Sequence, residues 1–223
     1  MIGKDLIRTD RNVEEFETLR SADMVKLESV LMSYMMYNFD LGYCQGMSDI
    51  ASVLVQVVQD EDLAFWCFCG FMDRIESNFD VNQYGIKVQL QQLRTLLQFL
   101  DPDFSEFLEQ KESLNMYFCF RWVLIWFKRE FLFHDIKRLW EILWTELPCR
   151  NFVLLLACSI LLKQRDYIVS NDLNFTDILK FVNDLSEKLD IDEIVGTGNE
   201  LFKLIEGLKV QGSLSKNIIQ ILF

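Results

Sequence analysis

Proline is nearly absent from this chain, with two residues in 223, and glycine is sparse at nine. Segments can therefore run long without a breaker, which favours helices over turn-rich β structure. Histidine occurs once and no two cysteines take the C-x-x-C spacing, so a structural zinc site lacks its ligand set. Basic residues are the minority, 22 against 34 acidic, and the net charge is −12. That balance disfavours nucleic-acid binding, which rests on neutralising phosphates, and attachment to an anionic membrane surface. The longest central apolar run, Phe152 to Leu162, contains Ser159 and is too short to span a bilayer. Met1-Ile2-Gly3-Lys4-Asp5 puts charges where a signal peptide needs an apolar core. A Gly-rich phosphate-binding loop with a lysine is also missing, so the chain is not expected to bind a nucleotide by itself.

What remains is a helical composition. Hydrophobic residues make up 51% of the chain and aromatics 13%, enough for a sizeable core. The six cysteines are Cys44, Cys67, Cys69, Cys119, Cys149 and Cys158, most of them inside apolar runs where a free thiol packs as a small core residue. They read as reduced, and the chain as cytoplasmic.

Residues 1–20 are polar, with Thr9 to Asn12 expected as an exposed loop. Ser21 is placed to cap a helix that runs to about Asn38, with Met24, Leu27, Leu31, Tyr34 and Met35 at helical spacing. A second apolar stripe runs from Met47 to Val58. Asp60 to Asp62 mark a third start, followed by Leu63 to Cys69, apolar nearly all round and read as a core helix. A helix from Gly85 should stop near Asp101, before Pro102. Residues 114–130 are expected as the most hydrophobic helix, with Arg121 embedded in it. Further helices are expected from His134 to Glu146, from an Asn151 cap to Leu162, and over Phe175 to Leu185. Beyond Val195 the glycines at 196, 198, 207 and 212 suggest one short helix near Glu200–Glu206 and a weakly ordered tail over 196–223.

Two short patterns stand apart. Leu41-Gly42-Tyr43-Cys44-Gln45-Gly46-Met47-Ser48-Asp49 brackets a glutamine between glycines, at the mouth of a helix. Upstream, Ile2, Asp5 and Arg8 form I-x-x-D-x-x-R. Together they resemble the TBC domain family of Rab GTPase-activating proteins, over about residues 1–195. The resemblance implies an all-α fold of roughly ten helices and a Rab small GTPase in its GTP-bound state as partner. It also implies a place in vesicle trafficking and intracellular protein transport, and no cofactor of the chain's own, since GTP and magnesium belong to the Rab. By the same resemblance Arg8 is the arginine finger and Gln45 the glutamine finger. Asp5, Tyr43, Gly46, Asp49 and Arg121 support the site, and no residue binds metal. Arg121, embedded in apolar sequence, needs a carboxylate or carbonyls, and Asp49 is one candidate. Trp122, Trp126, Trp140 and Trp144 read as core aromatics. The wording of residues 39–49, 118–130 and 138–148 is closest to a subgroup associated with late-endosomal and vacuolar Rabs, which implies peripheral recruitment to endosomal membranes.

The chemistry suits those residue types. Phosphoryl transfer from GTP needs a placed water and neutralised charge. A guanidinium supplies permanent charge and a fork of donors, and an amide can accept from water while donating to a phosphoryl oxygen. The sequence departs from the family in lacking the helices that usually precede I-x-x-D-x-x-R. The alternative expectation is therefore a catalytically impaired Rab-binding or scaffold module. A Ser48–Asp49–His134 hydrolase ranks far below, with no nucleophile elbow around Ser48.

Overall fold

The computed structural model describes residues 1–18 and 21–223, and among these the chain forms twelve α-helices and no strand. It divides into two compact units, Met1–Ile86 and Lys87–Phe223.

The first unit contains α1 (Ile2–Leu6), α2 (Ala22–Tyr37), α3 (Met47–Val57) and α4 (Glu61–Phe79). The helix starts follow local capping chemistry. Ser21 Oγ accepts from the Met24 amide at 3.2 Å, and Asp60 Oδ1 from the Leu63 amide at 2.9 Å, each satisfying a donor that the first turn leaves without a partner. α3 is buried on more than one face, as its apolar width suggests: Met47, Ile50, Ala51, Val53 and Val55 are all 2% exposed or less. Lys26 Nζ donates to the Val55 carbonyl at 3.1 Å and joins α2 to the last turn of α3. α4 differs from expectation. Ala64, Phe68 and Cys69 are buried, but Leu63, Trp66 and Cys67 face outward. Tyr37, Phe65 and Trp66 meet edge to face on that side, with ring centroids 5.1–5.7 Å apart. An apolar run alone does not show which of its faces a neighbour covers.

The division between units falls inside α5 (Tyr84–Leu100), which ends one residue before Asp101. Asp101 then caps α6 (Pro102–Gln110), its carboxylate accepting from the Phe104 amide at 2.9 Å. Residues 114–130 do not form one helix. A 3₁₀ turn (Tyr117–Cys119) leads into the short α7 (Phe120–Leu124), and the chain then reverses through Trp126 and Phe127, both at positive φ. Nine helical residues would carry Glu130 roughly 13 Å from Arg121. The reversal returns Glu130 to Arg121, with Nε–Oε1 at 2.7 Å and Nη2–Oε2 at 2.9 Å. The Trp140 indole N–H fixes the bend by donating to the Trp126 carbonyl at 2.9 Å.

The second unit continues with α8 (Phe133–Trp144), α9 (Phe152–Ser170), α10 (Phe175–Asp184), α11 (Ile191–Val210) and α12 (Lys216–Leu222). α9 runs eight residues past the expected Leu162, and Asn151 sits at its N-cap without capping it. The Asn151 amide donates to the Ile221 carbonyl at 2.6 Å instead. The expected weakly ordered tail is overturned. α11 runs through three of the glycines read as breaks, and α12 buries Ile218, Ile221 and Leu222. Gly198 has a positive reason to be there: a Cβ would stand 3.1 Å from Phe152 and Leu156, so glycine lets α11 approach α9 closely.

Candidate functional site

α1 presents the first pattern by placing Ile2, Asp5 and Leu6 inward, at 7%, 4% and 4% exposure. Arg8 lies two residues past the helix, where its amide still donates to the Asp5 carbonyl at 3.0 Å. The guanidinium folds back on Asp5, with Nε at 3.1 Å and Nη2 at 2.5 Å from Oδ1, yet 61% of the side chain stays exposed.

The second Asp5 oxygen takes the glutamine loop. Tyr43 donates its hydroxyl to Asp5 Oδ2 at 2.6 Å. Burial pushes the Tyr43 phenol up, and the neighbouring Asp5 carboxylate pushes it further, so the hydroxyl keeps the proton that it donates. One buried carboxylate thus binds the arginine with one oxygen and the loop before Gln45 with the other.

Gln45 itself is exposed, and its amide has no hydrogen-bond partner among the described residues. Its neighbours are held on both sides. The Cys44 amide lies 3.3 Å from Met47 Sδ, and Cys44 Sγ lies 3.4 Å from the Phe79 carbonyl. Gly46 begins α3 at φ +104°, and Gly42 turns the loop at φ +64°, conformations that a Cβ disfavours. The glutamine is a free side chain on a fixed backbone.

The remaining expected residues fall in both units. Asp49 is buried in the first turn of α3, at 5% exposure. Arg121 belongs to the second unit, and its carboxylate is Glu130 rather than Asp49. Glu130 is completely buried, and burial raises its pKa while Arg121 pulls the other way. Thr9, expected in an exposed loop, is 5% exposed and hydrogen-bonded to Ser48 Oγ at 3.1 Å. A hydroxyl beside charged residues carries no local signal of burial, so only the fold reveals it. Among the described residues no group of three or more His, Cys, Asp or Glu side chains could hold a metal ion. No helix among them is long and apolar enough to cross a membrane.

The profile of the Rab-GTPase-TBC domain matches residues 1–169. The chain belongs to the RabGAP-TBC family. Mouse (Mus musculus) TBC1 domain family member 17 is 45% identical over 203 residues, covering 91% of this chain and 32% of that protein. GTPase-activating protein GYP7 of Yarrowia lipolytica is 39% identical over 224 residues, covering 90% of this chain and 31% of that protein. This TBC chain spans about a third of the length of these curated relatives. The crystal structure of the Ypt/Rab-GAP domain of Gyp1p shares its fold, with a TM-score of 0.76 at 19% identity over 91% of this chain and 71% of that one. The TBC fold is thus all-helical here, as its motifs imply.

Proposed function

We propose that this TBC chain stimulates GTP hydrolysis by a Rab small GTPase in its GTP-bound state, with Arg8 and Gln45 supplied in trans. Family membership supports a GTPase-activating role, and the relatives from yeasts carry that description in their names. The observation that carries the two-residue reading is the Asp5 bridge, which ties the Arg8 segment to the loop that presents Gln45. Both side chains are exposed, as a group that must reach into another protein has to be.

In this reading GTP and magnesium arrive with the Rab. The Arg8 guanidinium leaves or shares Asp5 and neutralises charge on the transferring phosphoryl group. The Gln45 amide accepts from the attacking water and donates to a phosphoryl oxygen. Glycine at 42 and 46 and the Cys44 contacts hold the backbone that carries that amide, which limits the reorganisation left to the reaction.

The test is single-turnover hydrolysis by a panel of GTP-loaded Rabs, with and without this chain, beside binding of the same Rabs. Acceleration of at least one Rab is expected. Binding without acceleration would leave a Rab-binding module and overturn the catalytic reading.

A further inference from the structure

Arg8 and Gln45 each lie in the sequence between two residues that bond across to the other segment. Asp5 and Thr9 flank the arginine; Tyr43 and Ser48 flank the glutamine. Thr9 Oγ1 lies 2.8 Å from the Asp5 carbonyl and 3.1 Å from Ser48 Oγ. Tyr43 donates to Asp5 Oδ2, 2.6 Å away, so two hydrogen bonds join the segments, Asp5–Tyr43 ahead of the two fingers and Thr9–Ser48 behind them. Asp5, Thr9 and Ser48 are 4%, 5% and 2% exposed, so little water competes for these groups.

Proton counting gives these bonds a direction. The carbonyl and carboxylate of Asp5 only accept, so the Thr9 proton goes to the carbonyl and the Tyr43 proton to Oδ2. Ser48 then supplies the proton for its bond to Thr9 Oγ1. Thr9 and Ser48 thus join the residue after Arg8 to the first turn of α3 beyond Gln45. The fold does not need this contact to hold α1, which packs on α2 and α3 with Ile2 and Leu6 buried.

We propose that Thr9 and Ser48 are positioning residues that fix the spacing between Arg8 and Gln45; this rests on the two-finger reading above. A neutral hydrogen bond is a small part of the net stability, so removing one leaves a folded chain. A displacement of about 1 Å at a reacting group, in contrast, costs on the order of 10²-fold in rate.

The experiment compares Thr9→Val, Thr9→Ser and Ser48→Ala with wild type on the Rab that wild type accelerates. The expected result is a loss on the order of 10²-fold in the maximal single-turnover rate for Thr9→Val and Ser48→Ala. The concentration giving half-maximal acceleration should stay unchanged, and Thr9→Ser should recover the rate. Unchanged maximal rates in Thr9→Val and Ser48→Ala overturn the proposal, as does a loss confined to half-maximal concentration. A second readout needs no Rab: the NMR order parameter of the Arg8 Nε–H, which donates to Asp5. It should fall in Thr9→Val and recover in Thr9→Ser; no change in Thr9→Val overturns the positioning role of Thr9 even if no Rab responds. Failure of wild type to accelerate any Rab counts against the finger reading, and the order parameter then decides the positioning role separately.

Discussion

At Glu130 a fully buried carboxylate is bonded through both oxygens to Arg121, whose side chain is 33% exposed. Burial raises the Glu130 pKa and Arg121 opposes it, so removing the arginine leaves a buried charge with its main counter-charge gone. Arg121→Ala should destabilise the chain by about 3 kcal/mol at pH 7, the low end for breaking a buried pair because the arginine is partly solvated. A folded pKa raised above the unfolded value means the folded state holds the proton more tightly, so stability is greater at low pH and is lost as pH rises through the folded pKa. The Arg121→Ala deficit should therefore shrink between pH 7 and pH 5, where Glu130 can take a proton. Urea unfolding of both chains at the two pH values checks this, and an equal deficit at both contradicts it. The need of Arg121 for a carboxylate was legible in its apolar sequence surroundings. The identity of that carboxylate was not, because pairing at a separation of nine residues depends on a chain reversal at Trp126 and Phe127, two residue types that give no hint of positive φ.

Among the helices, starts were legible and extents less so. Ser21 and Asp60 cap through side-chain oxygens within three residues, an interaction local enough to be read from sequence, whereas α6 and its Asp101 cap are not among the expected helices. α11 was hidden because glycine costs about 1 kcal/mol in a helix interior relative to alanine, which made positions 196, 198 and 207 look like breaks. Packing of α11 on α9 offsets that cost, and Gly198 is what permits the close approach. Gly198→Ala should gain helix propensity but lose more to crowding, for a net loss of about 1–2 kcal/mol read by thermal unfolding. An increase in stability would contradict the close contact. Gly46→Ala tests the other end of the chain. A side chain at φ +104° strains the entry to α3 by about 1–2 kcal/mol, and should displace Gln45 enough to lower GTPase acceleration more than Rab binding. Equal losses in both would argue that Gly46 serves only the fold.

For the whole molecule, the all-helical class and the family were legible in two short motifs and in the scarcity of proline, whereas the bound C-terminal segment was not. α12 is seated by three apolar side chains and by the Asn151–Ile221 bond, contacts from far along the chain that no local pattern announces. Removing residues 213–223 should lower stability by about 3 kcal/mol or more, given roughly 1.5–3 kcal/mol for each large apolar side chain buried. A truncated chain that unfolds at the wild-type temperature would contradict that seating. The catalytic proposal is tested most directly by single-turnover GTP hydrolysis on a responsive Rab, with wild type, Arg8→Ala and Gln45→Ala compared at saturating concentration. Arg8→Ala is expected to lose on the order of 10³-fold of acceleration, with Gln45→Ala also severely impaired while still binding the Rab. Wild-type acceleration by both variants would contradict it.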